Sequence, residues 1–204
     1  MAYTVKEIFL TAQGEGANLG RTSVFIRFTG CNLWSGREED RSTAVCQFCD
    51  TDFVGGTRFT SAEDLANAAA ALWPASGNRM AVLTGGEPLL QVDEALIQAL
   101  HARGFYLAVE TNGTQVLPPG LDWVCVSPKA GAPLAVTEAD ELKLVYRQPG
   151  AEPERFSAFK AGVRWLSPMD GPDLKENTRL AAAWCLANPD WRLAIQAHKT
   201  WGIP

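Results

Sequence analysis

Residues 80–88, with the sequence MAVLTGGEP, join a short apolar run to a turn that contains two consecutive glycines. The run over 80–84 has the length and composition of a strand buried on both faces, as in a parallel sheet. Consecutive glycines after such a strand let the backbone approach a ligand closely, and Glu87 adds a carboxylate for a cationic amine. Taken alone, this turn is equally typical of an ordinary connection from a strand to a helix.

Similar apolar runs recur along the chain, and helical patterns lie between several of them. The other predicted strands cover residues 24–28, 106–110, 123–126, 142–146, 163–166 and 193–196. Predicted helices follow the capping box at 60–63 and end near Trp73, span the apolar positions 92–100 up to Gly104, and cover 174–186. This alternation predicts an α/β fold with ligands at the carboxyl ends of parallel strands. Periodicity alone does not distinguish an open sheet from a partial barrel.

The composition is that of an ordinary globular domain. The 204 residues, 47% of them hydrophobic and 20% charged, can bury a substantial core, and we expect a single domain over residues 1–204. A net charge of −5 argues against nucleic acid as a partner, and no apolar run approaches the roughly 18 residues of a membrane span. The N-terminal residues lack the layout of a secretion signal, so we expect a cytoplasmic protein without a membrane partner.

The five cysteines are unevenly distributed. Cys31, Cys46 and Cys49 are clustered, whereas Cys125 and Cys185 stand alone in apolar surroundings and are interpreted as core residues. Fourteen residues separate the first two clustered cysteines, and two separate the second pair. In a cytosolic chain, such clustering indicates a metal site or catalysis.

The number of clustered cysteines bears on the kind of metal. Structural zinc usually takes four protein ligands, and only His101 and His198 are available to complete such a set. Iron–sulfur clusters are held by thiolates, commonly four, so a set of three leaves one iron open for a small ligand. A zinc site or a redox Cys-x-x-Cys pair remains an alternative on spacing alone.

Three segments together resemble the radical S-adenosylmethionine (SAM) enzymes. They are Gly30-Cys31-Asn32, Cys46-Gln47-Phe48-Cys49 and Gly85-Gly86-Glu87-Pro88. The common pattern of that superfamily has three residues between its first two cysteines, and the fourteen found here resemble a variant spacing of the 7-carboxy-7-deazaguanine synthases, the QueE family. Residues 8–16, 25–32, 49–51, 110–113, 127–129, 141–143 and 167–170 also resemble that family, so the likeness covers almost the whole chain.

The resemblance implies a partial barrel of the β6/α3 type with about six parallel strands. It also implies a [4Fe–4S] cluster held by Cys31, Cys46 and Cys49, with SAM on the fourth iron and its cleavage to methionine and a 5′-deoxyadenosyl radical. No side chain is then catalytic, because the cofactors carry the chemistry. The SAM-binding residues implied are Gln47, Phe48, Gly86, Glu87, Glu110, Asn112, Ser127, Pro128, Lys129, Ser167, Pro168, Met169 and Asp170.

The substrate implied by the resemblance is 6-carboxy-5,6,7,8-tetrahydropterin. Hydrogen abstraction from C6, ring contraction and loss of ammonia would give 7-carboxy-7-deazaguanine, a step of queuosine biosynthesis. The substrate-binding residues implied are Ala12, Gln13, Gly14, Glu15, Arg27, Thr84, His198 and Pro204. The planar fork of Arg27 suits a carboxylate, although a structural ion pair is the competing interpretation.

Further expectations follow from the same likeness. They are a magnesium ion at Thr51, an electron donor such as flavodoxin or ferredoxin, and a homodimer. Two alternatives are another radical SAM enzyme, such as a glycyl-radical activase, and a zinc-stabilised binding module without catalysis.

Overall fold

The structure, a computed structural model, describes residues 2–74 and 77–204. Over these residues, nine strands form one sheet accompanied by four helices. The strands are β1 (Tyr3–Ala12), β2 (Thr22–Phe28), β3 (Thr57–Phe59), β4 (Arg79–Gly85), β5 (Phe105–Thr111), β6 (Trp123–Val126), β7 (Glu138–Tyr146), β8 (Lys160–Pro168) and β9 (Trp191–Leu193). The helices are α1 (Ala62–Ala71), α2 (Glu94–His101), α3 (Leu174–Ala187) and α4 (Ala197–Trp201).

The sheet is mostly parallel and open. Its strand order is β3-β1-β2-β4-β5-β6-β7-β8-β9, with β2 and β4 to β9 parallel to one another and β1 antiparallel to both of its neighbours. The expected α/β class and the mostly parallel, partial-barrel arrangement are confirmed. The parallel run contains seven strands rather than about six, because the short β9 pairs with β8.

Along the strands, successive side chains point alternately to the face of the sheet that the helices cover and to the opposite face. Ile26, Leu83 and Leu107 are fully buried in the core that α1 and α2 cover. On the other face, Met80 and Val82 form a small separate apolar cluster with Ala108. Because successive side chains point to opposite faces, the residues that continue this second face toward the carboxyl ends can line a site.

The sequence-based elements differ from the structure in four elements. The strand predicted over 193–196 lies earlier, at Trp191–Leu193, and the strands β1 and β3 and the short α4 were not predicted. A register shift between Val5 and Glu7 interrupts the alternation of β1, which removes the period-two signal of a strand. β3 has three residues and α4 has five, too few to show a period.

The helices do not extend to membrane dimensions. None within residues 2–74 and 77–204 is both long enough and apolar enough to cross a bilayer.

Leu83 provides a test of the core packing. We expect Leu83→Ala to lower the free energy of unfolding by about 2–5 kcal/mol, since the side chain is fully buried in the centre of the sheet. The same change at Leu186, which is 87% exposed on α3, should have an effect of roughly 0.5 kcal/mol or less. Urea unfolding followed by circular dichroism measures both, and equal effects would contradict the packing described.

Candidate functional site

A cavity of about 680 Å³ lies at the carboxyl ends of the parallel strands. This size is within the range of roughly 300–1,000 Å³ common for small-molecule sites. The predicted site residues that line it are Ala12, Gln13, Gly14, Glu15, Arg27, Cys31, Cys46, Phe48, Cys49, Thr51, Thr84, Gly86, Glu110, Asn112, Ser127, Lys129, Ser167, Pro168, Met169, Asp170, His198 and Pro204. The fold therefore brings the three clustered cysteines, the residues implied for the substrate and most of those implied for SAM to a single site.

The fourteen-residue insertion between Cys31 and Cys46 folds back on itself. Its Arg41 lies over the ring of Trp34, with the guanidinium carbon 4.1 Å from the ring centroid. The Nη1 of Arg41 also donates to the carbonyls of Gln47 and Cys49, each at 3.0 Å. These contacts tie the long insertion to the Cys-x-x-Cys segment, so the distant first cysteine still lies at the same cavity.

The thiols of Cys31, Cys46 and Cys49 line the same cavity. A hydrogen bond with Cys46 lowers the pKa of Cys49 to about 6, while it raises the pKa of Cys46, so one member of this pair is readily ionised. In the part of the chain that the structure describes, no three His, Cys, Asp or Glu side chains are arranged to hold a single metal ion. A [4Fe–4S] cluster offers a separate iron to each thiolate, whereas tetrahedral zinc needs its ligands around one point. A donor set of three thiols at one cavity therefore fits an iron–sulfur cluster that keeps one iron open for a small ligand.

The glycine turn after β4 is packed against the segment that carries Cys31. A Cβ at Gly86 would lie 2.1 Å from the carbonyl oxygen of Gly30 and 3.0 Å from the Cβ of Cys31. At Gly85, whose φ is +124°, a Cβ would lie 2.1 Å from the carbonyl oxygen of Phe28. A side chain at either position would separate the ends of β2 and β4, so both glycines are required for this close approach.

Glu87 was expected to face the cavity, and the structure places it elsewhere. Its side chain is fully buried and lies outside the cavity lining. The carboxylate accepts hydrogen bonds from the backbone N–H of Leu89 at 3.0 Å, the hydroxyl of Thr111 at 2.7 Å and the backbone N–H of Asn112 at 2.8 Å. Burial raises its pKa, against the lowering effect of these donors. The expectation of a carboxylate open to a cationic amine is corrected: the group joins the glycine turn to the end of β5.

Gln47 and Pro128 also lie outside the cavity lining. The side chain of Gln47 donates to the carbonyl of Ser42 at 3.0 Å, and the carbonyl of Pro128 accepts from the side chain of Gln148 at 3.4 Å. Both residues thus support the segments that carry their cavity-lining neighbours, Phe48 and Lys129.

A buried charged network occupies the β1, β5 and β7 side of the cavity. The ammonium of Lys143 donates to Glu15 Oε2 at 2.7 Å and to Glu110 Oε2 at 2.9 Å. Burial raises the pKa of Glu15, but Lys143 outweighs it and the net shift is downward. Burial similarly lowers the pKa of Lys143, and the two carboxylates reverse this, so the net shift of its pKa is upward and favours the charged ammonium.

Other cations line the cavity elsewhere. Arg27 donates through Nε to Glu7 at 2.7 Å, so the structural ion pair considered from the sequence is present. Lys129 donates to the hydroxyl of Ser127 at 2.8 Å, and burial lowers its pKa. Lys199 bonds to Asp50 at 3.1 Å and also to Asp170.

The last residues of the chain pack on the turn after β1. The backbone N–H of Ala197 donates to the carbonyl of Gly14 at 2.9 Å, and the hydroxyl of Thr11 donates to the Pro204 oxygen at 2.9 Å. A Cβ at Gly14 would lie 2.4 Å from Nδ1 of His198, so this glycine permits the contact. His198 and Pro204 reach the cavity in this way.

Sequence reasoning missed several residues of the cavity lining, among them Glu7, Phe9, Phe25, Lys143, Gln196 and Lys199. The sequence does contain a signal that could have pointed to Lys143: it is a charged residue between the apolar Leu142 and Leu144 in a predicted buried strand. The sequence contains no comparable signal for Gln196 and Lys199, because they belong to the short C-terminal segment.

Glu87 yields a prediction about the turn. In Glu87→Gln, the amide NH₂ would face an N–H or O–H donor, so we expect a loss of about 1–3 kcal/mol in the free energy of unfolding and a lower iron content after reconstitution. Glu94→Gln, an exposed change on α2, is the matched control and should leave both nearly unchanged. Chemical unfolding and iron analysis measure the two variants, and wild-type behaviour of Glu87→Gln would contradict the bonding role.

Comparisons with known proteins agree with this geometry. The sequence model of the Radical SAM superfamily matches residues 40–173. The chain is 59% identical over 210 residues to the 7-carboxy-7-deazaguanine synthase of Caulobacter vibrioides and 61% identical over 209 residues to that of Bradyrhizobium diazoefficiens, with 100% of each chain covered. The crystal structure of QueE from Escherichia coli superposes with a TM-score of 0.71 at 28% identity, covering 97% of this chain and 95% of that one. The chain belongs to the radical SAM superfamily and, within it, to the family of 7-carboxy-7-deazaguanine synthases.

Proposed function

We propose that this protein is a radical SAM lyase that converts 6-carboxy-5,6,7,8-tetrahydropterin to 7-carboxy-7-deazaguanine with loss of ammonia, in the biosynthesis of 7-deazapurines such as queuosine. The observation that carries the proposal is one cavity lined both by three thiols and by a group of carboxylates, amides and an arginine. Relatives more than half identical over their whole length bear the name of this synthase, which supports the same assignment.

At one end of the cavity, Cys31, Cys46 and Cys49 would hold a [4Fe–4S] cluster. Bound there, the cluster and SAM supply the radical chemistry of the superfamily. The glycine turn at Gly86 leaves room for a ligand beside Cys31, and Lys129 provides a cation for a carboxylate. The other cavity-lining residues assigned to SAM are Phe48, Asn112, Ser127 and residues 167–170.

At the other end, acceptors and cations are arranged for a carboxylated pterin. The carboxylates of Glu15 and Glu110 can accept from the N–H groups of the pterin edge, and Arg27 can donate to the substrate carboxylate. Glu110 bonds to Gln13 at 3.3 Å, so we assign it to the substrate rather than to the ribose of SAM. The remaining residues assigned to the substrate are Ala12, Gly14, Thr84, His198 and Pro204.

The wider setting is also part of the proposal. We propose a single domain over the whole chain, since one sheet runs through the described residues, and a homodimer as the working form. The electron donor would be a flavodoxin or a ferredoxin. Five free cysteines suit a reducing compartment, which supports a cytoplasmic location.

The primary test is an anaerobic assay after cluster reconstitution, with SAM, dithionite and the carboxytetrahydropterin, and with mass spectrometry of the product. We expect 7-carboxy-7-deazaguanine from the wild type, and none above background from Cys31→Ala because one iron loses its ligand. Cys185→Ala, a change at an isolated half-buried thiol, is the matched control and should retain activity. SAM cleavage without this product would leave the superfamily intact and refute the substrate.

Magnesium gives a second test. We propose a Mg²⁺ ion at Thr51, a residue that lines the cavity and can supply one oxygen ligand beside the substrate carboxylate and water. Activity measured against added Mg²⁺ in magnesium-free buffer should saturate for the wild type. Thr51→Ala should need at least about tenfold more Mg²⁺, as expected when one oxygen ligand is lost.

Thr51→Ser separates the metal from another role of the hydroxyl. Thr51 also hydrogen-bonds to Cys49, and the serine variant keeps a hydroxyl for both contacts. We expect Thr51→Ser to respond to Mg²⁺ like the wild type. An identical Mg²⁺ response in Thr51→Ala would refute the assignment of this ion.

A further inference from the structure

Lys143 lines the cavity beside Glu15 and Glu110, two residues assigned above to the substrate, and has no role of its own so far. It is on β7 between Leu142 and Leu144, which are fully buried on the helix-covered face, so its side chain points to the opposite face. The side chain lines the cavity and is only 11% exposed. A lysine in such a place requires partners.

Its partners come from two other elements of the fold. Glu15 belongs to the turn after β1 and Glu110 to β5, and each carboxylate gives its Oε2 to the ammonium. The second oxygen of each accepts from an amide: Gln196 donates to Glu15 Oε1 at 3.1 Å, and Gln13 donates to Glu110 Oε1 at 3.3 Å. Both carboxylates are thereby fixed in orientation around a single cation.

The network carries one more negative charge than positive. A structural ion pair would match one carboxylate to one ammonium, whereas here two carboxylates share Lys143. The nearby Glu141 does not alter the network's bonds, since its oxygens accept from Trp123 Nε1 and from the backbone N–H of Ala17 at 2.9 Å. Excess buried charge is costly unless a ligand supplies donors to it.

We propose that Lys143 is a positioning residue for the substrate, holding Glu15 and Glu110 as a fixed pair of acceptors for a ring edge that presents adjacent N–H donors. This inference rests on the proposed function and adds the part of the substrate that the site selects: the donor-rich, guanidine-like edge of the pterin. A ring that presents acceptors at this edge would face two carboxylates and be rejected.

Kinetics of Lys143→Met, which keeps the length of the side chain and removes the charge, test the inference. We expect KM for the carboxytetrahydropterin to rise at least about tenfold, because the two carboxylates lose their shared cation and their orientation. KM for SAM, iron content and kcat at saturating substrate should each stay within about threefold of the wild type. Lys143→Arg, which keeps the charge, should recover part of the affinity.

Lys160→Met is the matched control. Lys160 is on β8 with an 82% exposed side chain, 4.0 Å from Glu138, and its replacement by methionine is the same chemical change away from the cavity. It should leave both KM values unchanged.

The remaining outcomes separate this inference from the proposed function. An unchanged substrate KM in Lys143→Met, with a wild type that makes 7-carboxy-7-deazaguanine, would overturn the role of Lys143 and leave the function standing. Equal losses of iron, SAM cleavage and thermal stability, or failure of Lys143→Met and Lys143→Arg to fold, would make Lys143 structural and overturn the inference. A wild type that cleaves SAM without forming the deazaguanine would refute the proposed function, and the inference with it.

Discussion

The close contact between the ends of β2 and β4 is the constraint on which the site depends. The backbone N–H of Glu87 donates to the carbonyl of Gly30 at 2.9 Å, and that of Gly86 donates to the carbonyl of Phe28 at 3.1 Å. These bonds extend the pairing of the two parallel strands past their last residues and into the turns that follow. Because Cys31 is the next residue after Gly30, these backbone bonds fix the segment that places its thiol on the cavity wall. The thiol itself accepts a hydrogen bond from the backbone N–H of Leu33 at 3.4 Å.

The same contact connects the segment that carries Cys31 to the neighbouring strand β5. Glu87 reaches from the glycine turn to the end of β5, where it accepts from Thr111 and Asn112. Asn112 in turn donates to the side chain of Asn32 at 3.1 Å, next to the first cysteine. Three consecutive strands of the sheet therefore fix one another's ends, and a rigid frame of this kind suits a site that must position reacting groups closely.

Charge is distributed unequally across the cavity. The side formed by β1, β5 and β7 contains the pair Glu15 and Glu110 around Lys143, with a formal excess of one negative charge, whereas Lys129 interacts with the thiols of Cys46 and Cys49. A ligand with donors on one edge and a carboxylate elsewhere would be oriented by such a pattern, since reversing it would place like charges together. The resulting polarity is a property of the whole fold, because its charges come from β1, β5, β6 and β7 segments that are distant in the sequence.

Much of this could be predicted from local patterns. The six strand patterns from Val24 to Leu166 reflect burial on both faces, which is encoded by composition alone, and the glycines at 85 and 86 indicate a close approach of the backbone. The spacing of the clustered cysteines similarly indicated a metal site, because only a few residue types can act as metal ligands. Strand β1 was not predicted, since its register shift disrupts the alternation that marks a strand.

The tertiary structure decided which predicted residues meet and which way their side chains point. Glu87 and Lys143 show this in opposite senses. Glu87 was expected in the cavity and is enclosed by Leu89, Thr111 and Asn112. Lys143 had no assigned role and lines the cavity, bonded to Glu15 and Glu110. Sequence determines the chemistry each residue can offer and, by alternation, the face on which a strand residue lies. The partners of a buried charge depend on strand order and register, which arise from contacts between segments far apart in the chain and leave no local periodic signal.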